Sequence, residues 1–215
     1  HYPITTSSRQ AQRYFDQGLT LCYAFNHREA IRSFQAAAAA DPDCAMAYWG
    51  VAYAYGPPVN KPMPVEETAG AWTALQQALA RKSAASAKEQ AWINALAKRY
   101  QAEHHDERAA LDKAYAQAMR ELAREYPDDL DFQTLLAEAL MDTSPWNYWQ
   151  PDLTAKPAAK EAIAAIESVL ARVKAHSGAD HLYIHLVEAG PNPTKGEPSA
   201  AMRCTRSSRS RSWRD

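Results

Sequence analysis

Three observations predict an all-α fold. Gly18, Ala30, Phe34, Ala37 and Pro42 lie on a spacing in which small residues let two antiparallel helices approach, an aromatic ring fills the gap and a proline stops the second helix. Tyr48 and Ala52 repeat Tyr14 and Gly18 one repeat length later, about 34 residues on. Alanine is abundant, only 7 of 215 residues are glycine, and no alternating run of β-branched residues marks a strand.

Apolar residues at Tyr14, Leu21 and Phe25, then at Ile31, Phe34 and the alanines behind it, predict two helices joined at Asn26-His27. The next helix is predicted over 43–55, stopped by Gly56-Pro57-Pro58, because consecutive prolines cannot continue it. A proline-rich loop then runs through Pro64, long for a repeat turn. Ala71, Leu75 and Ala78 restore the small-large-small spacing on a helix over 66–81. Ser86 followed by Glu89 is a capping-box signature for a helix carrying Trp92, Leu96 and Tyr100. Tyr115, Met119, Leu122 and Pro127 mark a further helix, and its successor is predicted over 129–141. After the aromatic loop Pro145-Trp146-Asn147-Tyr148-Trp149, Pro157 sits where a first helical turn tolerates proline, with the helix over 158–174. Ser177-Gly178 breaks the pattern before a last helix carrying His181 and His185, ended by Gly190-Pro191. The sum is four helical pairs, the second and third imperfect.

The five-residue lattice occupies positions 8, 20, 24, 27 and 32 of a 34-residue unit, and in this the chain resembles a tetratricopeptide repeat. The segments Tyr14-Phe15-Asp16-Gln17-Gly18-Leu19, Phe25-Asn26-His27, 41–50 and His181-Leu182-Tyr183-Ile184-His185 are similar to one family of bacterial tetratricopeptide-repeat proteins, whose members mostly carry no assigned activity. The resemblance implies helix pairs stacked as an α-α superhelix over residues 1–198. Relatives carry an export signal and a short leader before the stretch matching His1–Thr6, and a further helix and histidine-rich segment after about Ser199. Against that pattern the Arg-Ser stretch 199–215 reads as a disordered basic tail or as a frame-shifted end. The compartment stays open between cytoplasm and export.

A formal net charge of -1 argues against a nucleic-acid partner, and no apolar run approaches the roughly 18 residues of a membrane helix. Cys22, Cys44 and Cys204 are an odd set, two of them within helical pattern, so they form no disulfide framework.

Two constellations carry candidate function. In the repeat register the inner face holds Gln12, Phe15, Leu19, Cys22 and Tyr23, then Met46, Trp49 and Tyr53. This aromatic and apolar concave face lacks the Lys and Asn set that grips a peptide carboxylate, so it predicts a protein or peptide partner bound through Phe15, Leu19, Tyr23, Trp49 and Tyr53, or a face covered by the further C-terminal part that relatives carry. The second constellation is a stripe of His181, His185 and Glu188, which share one side of a helix and suit zinc or another divalent transition metal, with His176 as a further ligand. Leu182 stands where a zinc protease of the HExxH type has its glutamate, so no catalytic residue is assigned. The competing reading satisfies both histidines structurally, through helix-end carbonyls or Glu188. His27 at an inter-helix turn and His104-His105-Asp106-Glu107 at a helix start are read as structural, and His1 offers an amine and a ring to copper.

Overall fold

The computed structural model describes residues 1–60, 62–103 and 108–201, and among these it is all-helical, with no β-strand. The His104–Glu107 segment and the Arg-Ser tail from residue 202 lie outside the described residues. The chain divides into two compact units, His1–Glu125 and Tyr126–Asp215. No helix among the described residues is long and apolar enough to cross a membrane.

The first unit holds α1 (Arg9–Tyr23), α2 (His27–Ala40), α3 (Ala45–Tyr55), α4 (Val65–Arg81), α5 (Ala87–Leu96) and α6 (Ala109–Glu125). Ser8 caps α1 by accepting the Ala11 N–H. Its far end turns on Phe25, whose φ of 58° lies in the left-handed region, and the N–H groups of Phe25 and Asn26 return to the carbonyls of Cys22 and Leu21. These two bonds form the 5→2 and 6→1 pair that ends a helix abruptly, here without the usual glycine. The Phe25 ring stacks on His27, the first residue of α2, at 6.0 Å.

Adjacent helices pack in sequence, α1 on α2, α2 on α3 and α3 on α4. The lattice residues explain the first of these contacts. Ala30, Phe34 and Ala37 are fully buried, and the Phe34 ring lies between Gly18 and Gly50. A methyl group at Gly18 would stand 2.7 Å from that ring, and one at Gly50 2.2 Å from it. Only residues without a Cβ permit this approach.

The loop after α3 is held. Pro57, Pro58, Val59 and Met63 are buried. Arg99 donates to the Pro57 carbonyl at 2.8 Å and the Tyr100 hydroxyl to the Ala52 carbonyl at 2.6 Å. These bonds account for a departure from the sequence pattern: α5 ends at Leu96, and Tyr100 lies beyond it in tight turns rather than on the helix. Arg99, only 2% exposed, sits over the Tyr115 ring at 4.8 Å, so its charge is buried against a π face.

The second unit holds α7 (Leu130–Asp142), α8 (Pro157–Leu170) and α9 (Ser177–Val187). Asp129 caps α7 and Pro157 occupies the first turn of α8. Helix α8 stops four residues earlier than its apolar pattern predicts. Ser177 and Gly178 do not interrupt the pattern; they form the first turn of α9, because His176 caps it with Nδ1 accepting the Ala179 N–H while Asp180 accepts the His176 N–H. Between α7 and α8 the chain makes a small hairpin-like loop closed by Lys156 N–H to the Tyr148 carbonyl and Gln150 N–H to the Thr154 carbonyl. Trp146 and Leu153 stand out from it, both exposed and both with positive φ.

Candidate functional site

The inner-face residues do converge, and they converge as core. Phe15 and Trp49 are fully buried, and Leu19, Tyr23 and Tyr53 are at most 7% exposed. Phe15 packs against Phe34 at 5.4 Å and Trp49 at 6.3 Å, and Trp49 stacks on Tyr53 at 5.1 Å. Helix α5 closes the cluster from the other side, placing Trp92 4.0 Å from Trp49. The open aromatic face predicted through Phe15, Leu19, Tyr23, Trp49 and Tyr53 is therefore corrected: these side chains are not accessible to a partner. The physical reason is their area, since covering one such ring stabilises by roughly 4–6 kcal/mol and an open face forgoes that gain at four rings, with Leu19 adding to it.

What lies over the edge of this cluster is a non-helical stretch, residues 1–8, which bends at Thr5 and Ser7. Tyr2 and Ile4 are buried, and the Tyr2 ring meets Trp92 at 5.0 Å and carries Lys88 above it at 5.0 Å. The Gln12 side chain brackets the backbone, accepting the Ile4 N–H at 2.9 Å and donating to the Tyr2 carbonyl at 2.7 Å. Asp16 accepts the Tyr2 N–H at 3.0 Å and its other oxygen meets the His1 ring at 2.7 Å. At the far end Glu89 accepts the Thr5 N–H at 2.6 Å, the Thr5 hydroxyl, and the Ser86 N–H at 2.8 Å. Glu89 thus completes the capping box of α5 and anchors the extended segment with the same carboxylate. From sequence, Glu89 is legible only as a cap and Gln12 only as one inner-face position.

The histidine stripe sits on α9. His181 and His185 face each other with Nε2 atoms 3.1 Å apart, and the His185 Nδ1 lies 2.9 Å from a Glu188 oxygen. Glu188 therefore reaches the outer nitrogen of a histidine rather than the point the two rings share. His176 does not join them: one ring nitrogen caps α9 and the other lies 3.5 Å from Asp131. Trp146 meets the His185 ring edge-on at 5.2 Å. Nearby Tyr148 has the pKa of its hydroxyl pushed up to about 12, by burial first, with the Trp146 backbone opposing and the carboxylates of Asp142 and Glu188 adding to it. Across α8 and α9 the Tyr183 hydroxyl donates to Glu167 at 2.7 Å, and burial, that bond and that charge raise it further still. Among the described residues no group of three or more His, Cys, Asp or Glu side chains is gathered to hold a metal ion.

Comparison of the chain with family models, curated proteins and solved structures returns no match.

Proposed function

We propose that the chain is a helical-repeat scaffold of the tetratricopeptide type that binds a protein partner through an extended segment laid between α1 and α5. One observation carries this reading: the Gln12 amide brackets the N–H of Ile4 and the carbonyl of Tyr2. A side-chain amide that satisfies both backbone groups of an extended stretch recognises main chain, and the flanking apolar seat of Tyr2 and Ile4 selects side chains two residues apart. The corresponding partner is an extended segment with an aromatic residue followed two positions later by an aliphatic one and then a hydroxyl residue for Glu89. Residues 1–8 fill that seat from within the chain, at the high effective concentration of a tethered ligand, so an incoming segment must displace them.

The test releases the tether. Full-length chain carrying Tyr2→Ser and Ile4→Ser is titrated with a labelled peptide of residues 1–8, and far-UV circular dichroism confirms that it is folded. Saturable binding is expected, at least tenfold weaker to the unsubstituted chain and lost when Gln12→Ala is added. A folded double variant that binds no peptide removes the reading.

A further inference from the structure

We propose that His181 and His185 form a two-imidazole site for a divalent transition metal ion, with Glu188 holding His185 in the ligating tautomer. The site belongs to the second unit and is independent of the extended-segment reading.

The geometry is that of a chelate. A metal bound to two imidazoles at 2.0–2.1 Å sets their nitrogens roughly 3.3 Å apart at a tetrahedral angle and roughly 2.9 Å apart at a right angle. The observed Nε2 separation of 3.1 Å falls between these two bites. Two histidines four apart on a helix reach this distance only when both rings turn to the same point, and here they do, with centroids 4.9 Å apart. Little rearrangement is then required on binding.

The proton arrangement follows from the neighbours. Glu188 accepts a hydrogen bond from His185 Nδ1–H, which leaves His185 Nε2 as the bare nitrogen, and the contact at 3.1 Å makes His181 Nε2–H the donor to it. One proton thus lies between the two nitrogens. A divalent cation takes its place by a change of tautomer: His181 Nε2 gives its proton to solvent while its Nδ1 takes one up, so both rings stay neutral, no net proton is released and each Nε2 turns its lone pair to the metal. The carboxylate behind the ring fixes its tautomer and orientation, the arrangement by which outer groups orient metal-bound histidines. Trp146 stands at the rim of this point in a left-handed conformation, φ 61°, which an indole adopts only at a cost. The protein supplies two donors and water supplies the remaining positions, so the ion has open coordination sites. Imidazole donors favour zinc, nickel and copper over magnesium or calcium.

Tag-free full-length chain is titrated with Zn2+ by calorimetry, beside His181→Gln, His185→Gln, Glu188→Gln and His1→Gln. One equivalent is expected, weakened at least tenfold by either histidine substitution at α9 and about 10–100-fold by Glu188→Gln, and unchanged by His1→Gln. A second measurement does not depend on the variants folding: Ni2+ added to the unsubstituted chain broadens the imidazole proton resonances of His181 and His185 before those of the other histidines. Absence of zinc uptake at millimolar concentration, uptake unaltered in the His181→Gln and His185→Gln chains, or earlier broadening at another histidine overturns the proposal.

Discussion

Gly50→Ala tests the helix lattice at its tightest point. Alanine in place of glycine within a helix ordinarily stabilises by about 1 kcal/mol. Here the new methyl would stand 2.2 Å from Phe34 Cδ1, 2.4 Å from Cε1 and 2.5 Å from Cγ. These atoms belong to a fully buried ring whose same edge also fills the space a Gly18 Cβ would need, 2.7 Å away, so the ring has little room to retreat. Overpacking of this kind costs about 1–3 kcal/mol, and contact this short places it at the upper end, so the net loss is about 2 kcal/mol. Phe34→Ala alone is expected to cost about 3–5 kcal/mol. In the double variant the methyl enters space the ring has left and keeps its helical gain, so the pair should be no worse than Phe34→Ala alone. The coupling energy is then about 2–3 kcal/mol in favour of the double variant. Urea unfolding read by tryptophan fluorescence, with Trp49 and Trp92 in the same cluster, and by circular dichroism measures all four corners of the cycle. Additive losses would refute the account of Phe34 as a wedge between two glycines.

Two further outcomes follow from single side chains. Tyr148 keeps its proton to about 12, whereas an unfolded tyrosine ionises near 10, so between these values the unfolded state binds fewer protons and stability falls as pH rises. At pH 11 the loss relative to pH 8 should be about 1.4 kcal/mol smaller in Tyr148→Phe, measured by urea midpoints; identical losses in the two proteins would contradict the burial of that hydroxyl. Glu89→Ala removes the capping partner of Ser86 and the acceptor for Thr5 from a position 2% exposed, and should cost about 2–3 kcal/mol in thermal unfolding, with Glu89→Gln milder; a loss below about 0.5 kcal/mol would deny the anchor.

Much of the helical layout was readable because its signals are local. The Ser86–Glu89 cap and Pro157 act within a turn, the small residues at 18, 30 and 37 with Phe34 act between two helices joined by a short turn, and each is found where the pattern puts it. The same holds for the His181, His185 and Glu188 stripe, since a rotation of about 100° per residue fixes which side chains can meet. What was not readable is where a distant carbonyl or carboxylate wins. Tyr100 leaves the helical register for the Ala52 carbonyl, and Thr5 finds Glu89 across the fold. No periodicity in the sequence records those partners, because each bond joins segments many residues apart.

The aromatic face is a different case, for its signal was present and pointed the other way. Helix α3 reads Ala-Met-Ala-Tyr-Trp-Gly-Val-Ala-Tyr-Ala-Tyr, with no charged residue on any side, and nine of its residues are buried. A helix apolar all round has no face to give to water. The first helix of a repeat can line an open groove only if its inner stripe tolerates solvent when the groove is empty, and α3 has no such stripe. Its inner residues require permanent cover, which Trp92 and the α5 backbone supply from one side and α2 and α4 from the others. In the proposed reading, recognition moves to the margin of the cluster, where Gln12, Asp16 and Glu89 bond the backbone of residues 2–5.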